Sequence, residues 1–364
     1  MTVDMATTLQ ALGHDIEVAF LKRSKRLSMS LERVEYEGFP ATLLESFRPV
    51  FIGFHTWNWG KAWRQHLAGF DAVVVVCGSP YIAFPFLRSG KPLYVWAAVT
   101  LKEDLKGKYE RFRLINKIAY RLWLPYLYKQ ERTVICESRR LWALSQPSMR
   151  DFEAMAGSER PRTSVLMAPI DTDLFRPLND TAENAPAELA VLFTGRYSDG
   201  RKDIATLIRA FAITHRQIPK SKLVLIGPPE PSSKMPSMVS DFGLCGAVEF
   251  LPWVDRVGLV KYYQSAKVFA ISSRQEGLCI SGLEAMACGL PVVSTACGGP
   301  ESYVQDGKNG FLVPVKDHEA MSKALARILS DEAIQRAQSN AARKFVLDHC
   351  GVGAFKAKVA EIAE

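Results

Sequence analysis

Between residues 189 and 313, short apolar runs alternate with longer stretches whose apolar residues recur at helical spacing. The runs fall at 189–194, 223–226, 248–251, 268–271, 292–294 and 311–313. Continuous apolar character, rather than alternation, predicts strands covered on both faces. Helical patterns such as 203–216 and 259–266 lie between them. Strands that alternate with helices predict a doubly wound parallel sheet. The first half repeats the scheme more loosely, with strands expected at 16–21, 50–54, 72–76, 93–97, 133–136 and 164–167.

The period breaks between Arg176 and Glu188, where Pro177, Asn179, Asp180, Asn184 and Pro186 interrupt it. The expected architecture is therefore α/β with two Rossmann-like domains, 1–176 and 189–335, joined by a linker at 177–188. Residues 336–364 are expected to form helices that pack back on the first domain. A chain of 364 residues suits two cores better than one. Residues 7–20 read as the first helix and second strand of the first domain. A first strand and glycine-rich turn, central in the common order, do not precede them.

Charge adds one feature. The net charge is +8, and residues 102–140 hold eleven Lys and Arg against five Asp and Glu. Within this stretch, 106–129 mixes cations with large apolar and aromatic side chains. It reads either as an amphipathic helix for an anionic membrane surface or as a surface helix with a solvated basic face. Nucleic acid is disfavoured, because no stacking motif accompanies the charge. No apolar run approaches the roughly 20 residues of a membrane span. The start shows no charged segment leading into an apolar one. Seven scattered cysteines, an odd number without zinc spacing, point to a reduced cytosolic setting and to no metal.

The chemistry concentrates in the second half. Glu276 and Glu284 stand eight positions apart, between the run 268–271 and Gly289-Leu290-Pro291. A strand, turn, helix, strand unit places both at the end of a parallel sheet, where ligands of such sheets bind. A helix N-terminus there welcomes phosphate. Arg196 and Lys202 follow the first strand of the same domain and could hold a diphosphate, or could be solvated surface cations. Glu284 has a rival role: Ser281 to Glu284 is a capping-box pattern that would turn its carboxylate back to the helix end.

Four motifs together resemble the glycosyltransferase family 4 group, retaining enzymes of the GT-B fold. They are Glu276 and Glu284 within their glycine-marked stretch; Thr194-Gly195-Arg196 followed by Lys202 and 207–211; Gly298-Gly299-Pro300-Glu301 followed by 306–313; and Ile170-Asp171-Thr172-Asp173-Leu174-Phe175 before Pro177. The match covers about 189–330. The resemblance implies that Glu284 holds the nucleotide ribose. It implies that Glu276 holds sugar hydroxyls and faces the positive charge that builds at the anomeric carbon, with Arg196 and Lys202 on the diphosphate. Gly195, Arg201, Gly277, Leu278, Cys279, Ile280 and Gly299 complete the implied donor site.

Two departures stand out. Leu278-Cys279 replaces the family's usual Phe-Gly, and one extra residue precedes Lys202, so Arg201 competes for its role. Asp171-Thr172-Asp173 could suggest a metal-binding Asp-x-Asp, but its place at the domain join favours a turn. His55 lies in an aromatic loop, 53–59, and no catalytic histidine is assigned. The implied function is transfer of a sugar from a UDP- or GDP-sugar to a saccharide or lipid-linked acceptor, without metal or other cofactor. A nucleotide-sugar epimerase and a non-catalytic nucleotide-sugar-binding protein are the alternatives. A dehydrogenase is disfavoured, because no Gly-x-Gly-x-x-Gly follows a strand.

Overall fold

The computed structural model describes residues 1–24, 30–47, 61–106, 114–159, 162–178, 189–228 and 234–360. The chain divides into two compact units. Unit 1 comprises Met1–Leu166 with Lys356–Glu364, and unit 2 comprises Met167–Phe355.

Unit 1 opens with α1 (Thr2–Ala11) and β1 (Val18–Ser24). β2 (Ser30–Tyr36) and β3 (Phe39–Phe47) form a hairpin that turns at Glu37 and Gly38, both with positive φ, as a tight two-residue turn requires. β1 pairs with β3 in parallel, so this sheet has the order β1-β3-β2. There follow α2 (Lys61–Ala68), β4 (Val73–Cys77), β5 (Leu93–Ala97), α3 (Leu101–Lys106), α4 (Leu114–Glu137), β6 (Arg140–Ala143), α5 (Gln146–Ala156) and β7 (Thr163–Val165). The second sheet is parallel, in the order β4-β5-β6-β7. Val95, Val134, Leu141 and Phe152 anchor its core.

The sequence expectations for this unit need three corrections. Residues 133–136 are not a strand but the last turns of α4. Val134 and Ile135 are buried there, and a four-residue apolar run reads alike in a buried helix and a strand. The hairpin and β6 were not anticipated, because β2 carries four polar residues in seven and β6 is only four residues long. The expected strand at 50–54, His55 in its loop, and residues 107–113 of the basic segment lie outside the described residues. β1 and β4 belong to separate sheets, and no described strand joins them.

Unit 2 contains β8 (Ala190–Thr194), α6 (Ile204–Gln217), β9 (Lys222–Ile226), α7 (Lys234–Asp241), β10 (Val248–Leu251), α8 (Arg256–Ser265), β11 (Val268–Ile271), α9 (Ile280–Ala287), β12 (Val292–Thr295) and β13 (Gly310–Val313). α10 (His318–Ser330), α11 (Glu332–His349) and α12 (Val352–Ala360) close the chain. All six strands are parallel, in the order β10-β9-β8-β11-β12-β13. The order reverses between β8 and β11, and the loops after these two strands therefore diverge and leave a crevice. β11 and β12 are buried along their whole length, which accounts for their unbroken apolar runs.

Unit 2 begins at Met167, ahead of the expected seam. Ile170 N–H donates to Cys350 O at 2.7 Å, and the buried Phe175 ring meets Tyr263 edge-on, so this strip packs with unit 2. Asp171 Oδ1 accepts from the N–H groups of Asp173 and Leu174 and caps a turn. The linker residues 179–188 lie outside the described residues. α11 also belongs to unit 2: Arg343 donates to Phe175 O and Ala287 O, each at 2.7 Å. Only Lys356–Glu364 groups with unit 1, where Lys356 Nζ reaches Ala11 O at 3.1 Å. Among the described residues, no helix is long and apolar enough to cross a membrane.

Candidate active site

The loop after β8 runs through Gly195 and Arg196 into a short 3-10 turn, Gly200–Lys202. Asp199 caps that turn, accepting from Arg201 N–H at 3.1 Å and from Arg201 Nη2 at 2.7 Å. Burial works against the Asp199 charge, yet the Arg201 bonds outweigh it and hold the carboxyl down at about 2. Arg201 thus spends its guanidinium on Asp199 and on Gln275 Oε1 at 3.3 Å. Arg196 is two-thirds exposed and stands 3.6 Å from Asp199.

Lys202 behaves differently. Its Nζ donates to Glu276 Oε1 at 2.8 Å, and both side chains are largely buried. Burial opposes the ammonium charge, but the nearby Cys279 and Glu276 override it and raise the Lys202 pKa. Ser273 Oγ gives Glu276 Oε1 a second bond at 2.6 Å. The Glu276 backbone is clamped as well: its N–H donates to Cys297 O, and its C=O accepts from Gly299 N–H. The loops after β8, β11 and β12 therefore meet at one residue, Glu276, the first at its carboxylate and the last at its backbone.

Glycine is required where these loops touch. A Cβ on Gly299 would lie 2.4 Å from Leu278 Cα, and one on Gly227 would lie 1.9 Å from Gly195 O. Gly282, in the first turn of α9, leaves room for Tyr303, whose hydroxyl donates to Cys279 O at 3.1 Å. Cys279 itself sits at φ 66° and ψ 73°, the left-handed region that disfavours any Cβ. Burial raises its thiol pKa, so the thiolate is disfavoured.

Cys279 also settles how α9 begins. It is the residue before the first helical one, so Ser281 is the second helical position and no capping box forms with Glu284. Glu284 lies one turn further in and is buried. Tyr263 donates to its Oε2 at 3.2 Å, and Arg256 Nη2 stands 3.4 Å from its Oε1. Burial raises the Glu284 pKa, and Arg256 and Tyr263 pull it back.

Of the residues singled out in the sequence, Lys202, Glu276, Cys279 and Gly299 converge directly. Leu278 is buried beneath Gly299, Gly277 lies in the same loop, Ile280 is exposed at the helix start, and Glu284 is one turn along. Ser273, Tyr263, Arg256 and Tyr303 were not anticipated. Ser273 was the most accessible, three positions before Glu276; the others depend on packing between elements. No group of three or more His, Cys, Asp or Glu is placed to hold a metal among the described residues.

Residues 179–345 match the family described as glycosyl transferases group 1. Unit 2 carries a group 1 glycosyl transferase domain. Two curated relatives support this. The D-inositol 3-phosphate glycosyltransferase of Acidothermus cellulolyticus is 30% identical over 212 residues, covering 55% of this chain and 47% of the relative. The lipopolysaccharide core biosynthesis glycosyltransferase LpsE of Rhizobium meliloti is 34% identical over 156 residues, covering 43% of each chain. The chain spans about half the length of the curated relatives it matches.

Solved structures extend the likeness of the fold beyond the group 1 domain. Sucrose-phosphate synthase from Thermosynechococcus elongatus has a TM-score of 0.77 at 21% identity, over 99% of this chain and 90% of that one. Anabaena HepE, solved with UDP and glucose, has a TM-score of 0.65 at 17% identity, over 90% of this chain and 86% of that one. The fold is GT-B, with two Rossmann-like domains.

Proposed function

We propose that the protein transfers a sugar, with retention at the anomeric carbon, from a UDP- or GDP-sugar to a saccharide or lipid-linked acceptor. The observation that carries this reading is the buried Lys202–Glu276 pair beside the start of α9. A nucleotide-sugar offers each partner a better match: diphosphate for the ammonium, sugar hydroxyls for the carboxylate. The bond from the anomeric carbon to the diphosphate oxygen breaks, and its electron pair leaves on the diphosphate. The acceptor hydroxyl bonds to that carbon and yields its proton to the released diphosphate. Lys202 and Arg196 meet the charge on the leaving group, the task a metal would otherwise take. Glu276 faces the positive charge at the anomeric carbon. Glu284, pre-set by Tyr263, accepts from the ribose hydroxyls.

HepE was solved with UDP, which favours a uridine donor for this chain. The LpsE relative is a lipopolysaccharide core enzyme, which favours a saccharide acceptor on a lipid. α4 supports a membrane-proximal acceptor: Ile118, Leu122, Trp123 and Tyr126 are exposed on it beside Arg121 and Lys129. Exposed aromatic and apolar side chains among cations are what an anionic headgroup layer attracts.

The test begins with melting curves in UDP, GDP and ADP. One nucleotide should raise the melting temperature, since a ligand at 100 times its dissociation constant stabilises by about 2.7 kcal/mol. The stabilising donor is then incubated with acceptor extracts, and the anomeric configuration of the product is read by NMR. Nucleotide binding without any turnover would leave a binding protein. Epimerised donor in the absence of acceptor would replace the reading with an epimerase.

A further inference from the structure

The proposed reaction gives no task to the strip 170–175 ahead of the linker. Phe175 is fully buried in it. Its ring meets two residues of α8. The Arg256 guanidinium stands 5.1 Å from the ring centroid, and Tyr263 meets the ring edge-on at 6.0 Å. Arg343, on α11, ties the strip to the end of α9 by donating to Thr172 O, Phe175 O and Ala287 O. α9 is the helix that carries Glu284. The strip, α8 and α9 are thus fastened together beside Glu284.

By local rules Arg256 is out of place. It opens α8, where Asp255 caps the first turn by accepting from Gly258 N–H at 2.7 Å. A helix N-terminus favours an anion and disfavours a cation. The compensation is tertiary. Arg256 and Tyr263 lie two helical turns apart and share one face of α8. Arg256 Nη2 stands 3.4 Å from Glu284 Oε1, and Tyr263 donates to Oε2 at 3.2 Å. Each carboxylate oxygen therefore has its own holder, and the Phe175 ring attracts the guanidinium from its other side. We propose that Arg256, seated on Phe175, is a positioning residue of the donor site, which holds the Glu284 carboxylate in the orientation that takes the ribose hydroxyls. This inference rests on the reading of Glu284 as the ribose acid.

Charge supports the role. Burial raises the Glu284 pKa, and Arg256 is the larger of the two influences that lower it. Among the described residues, the titratable groups that face Glu284 are Arg256 and Tyr263, from α8, and Cys288, at the end of α9. Burial raises the Cys288 thiol to about 12 and raises the Tyr263 hydroxyl as well, so both stay neutral around pH 7. Arg256 is then the charged partner among them. Without it, burial acts on Glu284 with only Tyr263 against it, and the pKa moves further up. The Arg256 side chain is 58% exposed and that of Glu284 10%, so a change at 256 alters the charge without opening the core.

The experiment measures binding of UDP and GDP to the full chain by calorimetry across pH 5 to 8, with donor kinetics beside it. Arg256→Ala should weaken the nucleotide that binds about tenfold at pH 7, a loss that calorimetry resolves. It should also move the acid limit of binding to higher pH. Arg256→Lys keeps the charge and should recover most of the affinity and the parent's acid limit; the neutral Arg256→Gln should not. The donor KM should rise more than kcat falls, because Arg256 acts through the ribose acid and not at the anomeric carbon. In a Glu284→Gln background Arg256→Ala should cost little more, because its effect passes through Glu284. An unshifted acid limit, no advantage of Arg256→Lys over Arg256→Gln, or an undiminished loss in the Glu284→Gln background overturns the role of Arg256 and leaves the ribose reading standing. If neither nucleotide binds, or if Glu284→Gln binds as tightly as the parent, the ribose reading falls and this inference falls with it.

Discussion

Lys202 Nζ donates to Glu276 Oε1 at 2.8 Å, across 74 positions of sequence. The bond ties the loop after β8 to the loop after β11 at the point where the strand order reverses. In the free protein each charge is the other's counter-ion. In the proposed reaction, donor binding would exchange that contact for diphosphate and sugar. Lys202→Ala and Glu276→Gln should each lower kcat about 100- to 1,000-fold, the scale of one lost preorganised charge contact. The double variant should lose less than the product of the two, because the residues act as a unit. Steady-state kinetics on the three variants checks this.

Glu284 should set the acid limit of donor binding. An ionised carboxylate accepts from ribose hydroxyls more strongly than a protonated carboxyl, and burial raises the Glu284 pKa. Donor affinity should therefore begin to fall at a pH above the ordinary carboxylate range as the pH is lowered. Glu284→Gln should weaken the donor and flatten that profile. Tyr263→Phe should shift it, since Tyr263 holds Glu284 in place. Calorimetric titration of the nucleotide from pH 7.5 to pH 5 measures all three.

Asp199 should contribute to acid stability. Its folded pKa of about 2 lies below its ordinary 3.8. The stabilisation is therefore present above about pH 4 and is lost as the pH falls towards 2, on the order of 2 kcal/mol in all. Asp199→Asn should lower stability at pH 7 by up to that amount. The gap to the parent protein should close below pH 4. Urea unfolding at stepped pH gives the comparison.

The αL conformation of Cys279 is a built-in strain, and glycine relieves it. Cys279→Gly should raise stability by up to about 1 kcal/mol and keep nucleotide binding. Gly299→Ala should do the opposite, costing about 1–3 kcal/mol, because its Cβ meets Leu278 backbone at 2.4 Å, and backbone cannot move aside cheaply. Thermal melts with and without the nucleotide that binds separate the two effects.

α4 should hold the protein to anionic vesicles. Leu122→Asp with Trp123→Ala should abolish sedimentation with phosphatidylserine or cardiolipin vesicles. Turnover of a water-soluble acceptor fragment should stay unchanged. Raised salt should weaken the parent's binding, since each cation near the surface contributes about 1 kcal/mol. Retained sedimentation of the double variant would remove α4 from the reading.

The strands of unit 2 were legible because a parallel sheet covered on both faces demands unbroken apolar runs. β10 and β11 fall where those runs predict, and the other four strands within a residue or so. Unit 1 was less legible for the same reason reversed. β2 is an edge strand with polar residues, and the apolar 133–136 lies inside a long helix, where a short run carries no period of its own.

The sequence by itself determined that glycines and two glutamates gather at the ends of parallel strands, since spacing and chain reversals are local properties. It left open which cation Glu276 meets and what Glu284 does. Those were decided by tertiary structure. Asp199 claims Arg201 within its own turn, and it is Lys202 that reaches across to Glu276. The left-handed Cys279 starts α9 before Ser281 can cap it, so Glu284 turns to Tyr263 and Arg256 instead. The contacts that Glu276 and Glu284 finally make, to Lys202 and to Tyr263 and Arg256, join elements far apart in sequence, which local spacing does not determine.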